Sequence, residues 1–356
     1  LDLPRETAAQ IYGWVVTSII FSQIIGALIG DLLLGNKKAI LLGGTLQAIG
    51  AFTLCIPSPT SFYLGIGLIV LGGGLYTPNM LSQFGKIYSN KTKLIDSGFT
   101  IFYTAINLGA FTGVFISMVL GGPYFRYGFI AGGVLMLFSV FLLLLCKEKE
   151  TAIIPETKST NHGIATIIIS LLLIGTFWAI YDFTGNGLVH LDMQFDQKLN
   201  LHNLFSTYSS SPVLVVGIVF SIIWSFTYMS HLLKAIIGFS IAAISLGLLL
   251  LIPPDPSQGH VFIFILSLIL FSIAEFFIGP TVYSVITKYS NPKYLAIMMS
   301  ISFIPSKVFM YLSGFCSNYV TDQPMISITI STILLALLGI GLGILFVISK
   351  KGTQLL

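Results

Sequence analysis

Long apolar runs, each ended by a short polar turn, fill the chain almost from end to end. Eleven can be distinguished, at approximately 8–33, 39–56, 61–83, 98–120, 126–146, 164–190, 201–225, 233–252, 260–287, 294–319 and 325–348. Most approach or exceed the roughly 20 residues a helix needs to cross about 30 Å of hydrocarbon. They are continuously apolar rather than alternating, which excludes a transmembrane barrel of short strands. The pattern predicts an all-α polytopic membrane protein.

Composition agrees: 55% of the 356 residues are hydrophobic and 8% are charged, against about 25% charge in soluble proteins. The net charge of +4 does not describe a surface for nucleic acid or an acidic partner, because it gathers at the ends of the apolar runs. Lys37, Lys38, Lys86, Lys91, Lys93, Lys147, Lys149, Lys158, Lys234, Lys288, Lys293, Lys350 and Lys351 fall in alternate connections. The opposite connections hold little beyond Arg126 and Lys198. By the positive-inside rule the lysine-rich turns and the C-terminus are cytoplasmic, in a multi-pass protein of the cell membrane. Eleven crossings then start from outside. The chain opens at Leu1 in a loop, so the expectation is one preceding helix and twelve in all.

The charged, breaker-containing stretch 147–163 is the expected cytoplasmic linker between two helical halves, 1–146 and 164–356. Restoring the expected helix gives six on each side. Two six-helix bundles with a site between them near the midplane is the usual carrier design.

Polar residues inside the runs are few. Phe102–Gly109 reads Phe-Tyr-Thr-Ala-Ile-Asn-Leu-Gly, with Tyr103 and Asn107 four apart and so on one helix face. Such a pair either bonds to a neighbouring helix or lines a watery cavity. Trp178, Asp182 and Asn186 share a face in the sixth run. Glu275 lies near the middle of the ninth and Lys307 near the middle of the tenth, after Pro305. A charge at the bilayer centre costs about 2.5–3.5 kcal/mol on the insertion scale, so each needs a partner or water. Two readings stay open here: a buried Glu275–Lys307 ion pair, or charges facing a cavity.

Three further signals are local. The first run ends Gly26-Ala-Leu-Ile-Gly-Asp31-Leu-Leu-Leu-Gly35-Asn-Lys37-Lys38, a compact acid-and-base turn. The third carries Gly72-Gly-Gly-Leu-Tyr76-Thr77-Pro78-Asn79, glycines for close packing and a proline expected to kink the helix. Cys55, Cys146 and Cys316 lack metal-ligand spacing and are expected as apolar core residues. The five histidines are expected at run ends or in loops. No phosphate-binding loop or nucleophile–base pair stands out, which argues against an enzyme. Nor does a charged ring or filter loop point to a channel.

Taken in order, these motifs resemble the proton-coupled oligopeptide transporters of the major facilitator superfamily. Gly26–Lys38 resembles the family's first signature, except that Leu32 replaces the usual Arg. Phe102–Gly109 resembles its second, with Phe-Tyr-x-x-Ile-Asn-x-Gly complete. Phe177-Trp178 with Asp182 is similar to its seventh helix. Glu275-Phe-Phe-Ile-Gly-Pro280, then Asn291-Pro292 and Met298-Met299, is similar to its tenth helix and the start of its eleventh.

The resemblance implies a major facilitator fold and proton-driven import of di- and tripeptides by alternating access, with no cofactor beyond the proton gradient. It implies that Tyr103 and Asn107 face the peptide and that Glu275 receives its amino terminus. Asp182 would join the gating and proton-linked network, with Asp31 in the signature turn. Thr77 stands where the family has Lys, and Ser211 where it has Asn before proline. Both, with Trp178, are expected at the substrate, and Lys307 is expected to take over part of the anion-binding role. The alternative is a major facilitator carrier for an amino acid, a nitrate-like anion or a drug.

Overall fold

All regular secondary structure is helical in the described residues of the computed structural model, which are 5–88, 94–121, 126–146, 161–201, 204–317, 320 and 323–352. The helices are α1 (Arg5–Ile29), α2 (Asn36–Thr53), α3 (Pro59–Tyr88), α4 (Ile95–Gly121), α5 (Arg126–Leu145), α6 (Asn161–Leu199), α7 (Leu204–Phe226), α8 (His231–Leu249), α9 (Gln258–Tyr289), α10 (Leu295–Ile301), α11 (Phe303–Ser317) and α12 (Pro324–Gly352). With α10 and α11 counted as one interrupted rod, the described residues hold eleven, one for each apolar run. Among the described residues nine segments are long and apolar enough to cross a membrane, and 212–226 is a shorter apolar helix. Most of the expected linker, 147–160, lies outside the described residues.

The break between α10 and α11 has a local cause. Pro305 cannot donate to Ile301, and its ring crowds that carbonyl, so the rod stops at Ile301 and restarts at Phe303 with proline in its first turn. Pro78 lies deeper inside α3, which nonetheless runs on to Tyr88. α6 continues to Leu199 instead of ending near 190, because Leu191 and Phe195 are fully buried and Phe195 packs on Phe264 at 5.4 Å. His190 is consequently inside a helix, not at its end.

Two compact units interleave along the chain. One comprises Leu1–Lys91, Gly109–Ile164 and Ile286–Phe303, the other Thr92–Leu108, Ala165–Val285 and Ile304–Leu356. α4 is therefore divided after Leu108.

In the first unit, glycines set how closely α1, α2 and α3 approach. A Cβ on Gly26 would run into the Gly74 carbonyl, and one on Gly43 into that of Gly72. Close backbones are the usual means of packing in lipid, where expelling water from apolar surface gives no drive. Ser22 donates to the Val70 carbonyl at 2.8 Å, adding a polar tie between α1 and α3. α1 ends in a π-helical turn, Gly30–Leu34, followed by Gly35 at φ +80°, a left-handed conformation suited to glycine.

The second unit is built on aromatic packing. Phe177, Phe239 and Phe276 are fully buried, and Phe177 stacks on Phe271 at 5.1 Å. Hydroxyl pairs tie helices across it: Thr184 of α6 donates to Ser331 of α12 at 2.9 Å, and Ser267 of α9 to the Ser245 carbonyl of α8 at 2.8 Å.

Large apolar side chains also face outward, among them Trp14, Phe226 and Tyr311. That surface suits acyl chains. It also corrects the expectation for cysteine: Cys146 and Cys316 are exposed and Cys55 half-buried. In a membrane the apolar place for a small side chain includes the lipid-facing surface.

Candidate functional site

The second unit brings together two of the residues singled out in the sequence. α4 presents Tyr103 and α9 presents Glu275, and the phenol donates to Glu275 Oε1 at 2.5 Å. Glu275 is 9% exposed, so this bond supplies a polar partner to a carboxylate largely removed from solvent. Phe276, the next residue, meets the Tyr103 ring edge-on at 5.6 Å. A Cβ on Gly279, one turn on, would lie 3.2 Å from that ring. The Glu-Phe-Phe-Ile-Gly sequence thus shapes one seat for Tyr103.

An aromatic wall stands one turn along α9. Phe271 stacks on Tyr181 of α6 at 4.8 Å, and Trp178 meets Tyr181 edge-on at 5.8 Å. Trp178 is a candidate from the sequence; Tyr181 and Phe271 are added by the structure.

Asn107 does not bond to a neighbouring helix among the described residues. Its Nδ2 donates to the Tyr103 carbonyl at 3.0 Å, a return bond along α4. Its half-buried amide holds its place on the Tyr103 face. Asp182 is exposed and accepts from Ser313 Oγ of α11 at 2.8 Å, a donor that the sequence did not reveal. Ser313 borders an open, almost wholly apolar cleft of about 520 Å³, lined also by Ile180, Phe183, Phe309, Leu312 and Leu334. A surface so poor in polar groups does not suit a zwitterion.

The Glu275–Lys307 ion pair, one of the two readings open in the sequence, is not formed. Glu275 takes its bond from Tyr103, and Lys307 stands exposed on α11. A different pair is buried in its place: Lys234 Nζ lies 2.6 Å from Asp96 Oδ2, with side chains 1% and 4% exposed. In the sequence Lys234 reads only as a topogenic lysine. The Ser211 side chain lies outside the described residues.

In the first unit Thr77 is half-buried on α3, and Asp31 sits in the π turn. Asp31 Oδ2 accepts the Ile297 N–H of α10 at 3.0 Å, and Oδ1 accepts from Asn36 at 3.1 Å. α10 has no side-chain cap from its own N-cap residue, Tyr294. Asp31 therefore supplies one from the far end of the sequence, with its charge at the favourable end of the helix dipole. Asn79, fully buried, donates to the Gly26 and Leu75 carbonyls and accepts from Asn36. Lys86 donates to Asn36 Oδ1, closing the network. Among the described residues no group of three or more His, Cys, Asp or Glu is placed to hold a metal.

Comparison with known proteins agrees with this architecture. A di-/tripeptide transporter of Lactococcus lactis subsp. cremoris is 31% identical over 192 residues, 51% of this chain and 38% of its own. In eight of the curated relatives the matched stretch spans between 29% and 55% of their length. A POT family transporter crystallised with a thioalcohol-conjugated peptide aligns over 94% of this chain and 85% of its own, at 22% identity and TM-score 0.67. The human organic anion transporter MFSD10 aligns over 93% and 82%, at 16% identity and TM-score 0.64. At those identities the likeness is one of fold. The family model of the Major Facilitator Superfamily matches residues 5–308, most of the chain, and the chain belongs to that superfamily.

Proposed function

We propose that the protein is a proton-coupled symporter that imports di- and tripeptides across the cell membrane by alternating access. The observation that carries this reading is the Tyr103–Glu275 bond. It joins the two motifs that resemble the peptide-transporter signatures, and it leaves an acid whose neutral phenol donor an incoming cation can displace.

In this reading Glu275 takes either a proton or the ammonium of the peptide. A protonated Glu275 no longer offers a charge to that ammonium, and this exclusion is what links the two fluxes. Asn107 bonds the peptide amide, and Trp178, Thr77 and Ser211 line the site. Lys307 attracts the carboxylate, supplying the cation that Thr77 does not. Fixed charges for the two ends of the ligand, with an apolar wall between them, select for backbone over side chain. Asp182 and Asp31 serve gating and proton movement. Residues 1–146 and 164–356 act as the two halves, joined by a cytoplasmic 147–163, with the C-terminus inside.

The second reading, a carrier for another small solute, draws on two observations. Thr77 replaces an expected cation, and the fold is shared with an organic anion transporter. A competition panel of dipeptides, tripeptides, free amino acids and small anions against labelled substrate separates the two. Competition by di- and tripeptides alone supports the peptide reading; competition by anions or amino acids without peptides overturns it.

A further inference from the structure

Asp96, Thr100, Tyr103 and Asn107 follow one another at steps of four, three and four residues, forming one polar stripe on α4. The stripe is fastened at two points within the second unit. Tyr103 is held by Glu275. Two turns earlier Asp96 is held by Lys234 of α8, whose Nζ also lies 4.3 Å over the Trp224 ring of α7. The adjacent Ser97 bonds the Ser221 carbonyl at 2.9 Å and Ser225 Oγ at 2.7 Å, again on α7. Thr100 returns its hydroxyl to the Asp96 carbonyl and fills the stripe between them.

Among the described residues Asp96 Oδ1 is buried without a hydrogen-bond partner, so the carboxylate is balanced through its other oxygen by Lys234. A charge buried in this way is tolerated only while its counter-ion stays in place, which makes the attachment sharply dependent on geometry. Asp96 and Tyr103 are seven residues apart, about 10 Å of helix rise, and two turns of helix move nearly as a rod. A rotation or slide that parts Asp96 from Lys234 therefore also carries Tyr103 away from Glu275.

We propose that Asp96 and Lys234 form a positioning pair for the substrate site, fixing the rotation and depth of α4 so that Tyr103 stays on Glu275. Neither residue touches the substrate. The inference builds on the reading of Glu275 as the acid of the site, but its test requires no substrate, so failure of the peptide assignment is scored separately.

Infrared difference spectroscopy of the purified full-length protein at one pH reads the Glu275 carboxyl group directly. Glu275→Gln assigns the band, and Tyr103→Phe gives its frequency with the phenol bond lost. The expected result is that Lys234→Met shifts the band to the Tyr103→Phe position, while Lys234→Arg keeps it at the wild-type position. A Lys234→Met protein with a lowered melting temperature and an unshifted band would overturn the proposal and reduce the pair to a structural tie. If Lys234→Met does not fold, the charge-free double variant Asp96→Asn/Lys234→Met decides in the same way. A shifted band supports the pair's positioning role; an unshifted one refutes it.

Discussion

Tyr103 and Glu275, 172 residues apart in the chain, meet through a phenol–carboxylate bond at 2.5 Å. Each is the polar member of a motif on a separate apolar helix, and each gives the other its reason to be there. Tyr103→Phe removes the donor and leaves the acid without it. Hydrogen bonds to charged groups are worth about 1.5–3 kcal/mol, so the variant is expected to lose stability of that order. Thermal melting in detergent measures it. Glu275→Gln keeps an oxygen for Tyr103 but cannot bind and release a proton. It is expected to melt near wild type and to lose gradient-driven accumulation in a transport assay.

Asp31 caps a helix that does not cap itself. Replacing it with Ala frees the Ile297 N–H and is expected to cost about 0.5–2 kcal/mol, the range for a lost N-cap. Asp31→Asn keeps an acceptor but loses the charge at the helix end, so it should fall between the two. Unfolding curves of the three proteins test that order.

Glycine substitutions separate packing from propensity. Gly67 has open space where a Cβ would go, so Gly67→Ala is expected to be neutral or stabilising by up to about 1 kcal/mol. Gly26 faces the Gly74 backbone with no room for a methyl, so Gly26→Ala is expected to destabilise by about 1–3 kcal/mol as the helices are forced apart. Comparable melting temperatures for the two variants would contradict the account of how α1 and α3 pack.

The eleven helical rods were legible because the apolar runs are long and their turns polar. What lies between helices was not. Glu275 and Lys307 could be matched for depth on neighbouring runs, but depth does not give the rotation of a helix, and Tyr103 holds the acid instead. Asp96 escaped notice because it follows a lysine-rich turn, where an acid reads as solvated. Lys234 escaped because the positive-inside rule already explained it. Asn79 was visible only as the residue after Pro78, although it ties α1, α2 and α3 together. In each case the missing information was a partner distant in the chain.

Lys307 is exposed in an otherwise apolar stretch and has no carboxylate beside it among the described residues. If it attracts the ligand's carboxylate, Lys307→Gln raises the KM for dipeptides about tenfold, the loss of about 1.4 kcal/mol. Stability should change little, because no buried partner is left behind. An unchanged KM would remove Lys307 from the substrate site.

Peptide symport is tested most directly by uptake of labelled dialanine into proteoliposomes that contain the full-length gene product, with and without an inward proton gradient. Peptide symport requires accumulation that depends on the gradient, is competed by unlabelled di- and tripeptides, and is lost in Asn107→Ala and Glu275→Gln. A folded protein that neither accumulates the peptide nor shows competition by it would contradict the peptide-symporter reading and leave the major facilitator fold with another solute to carry.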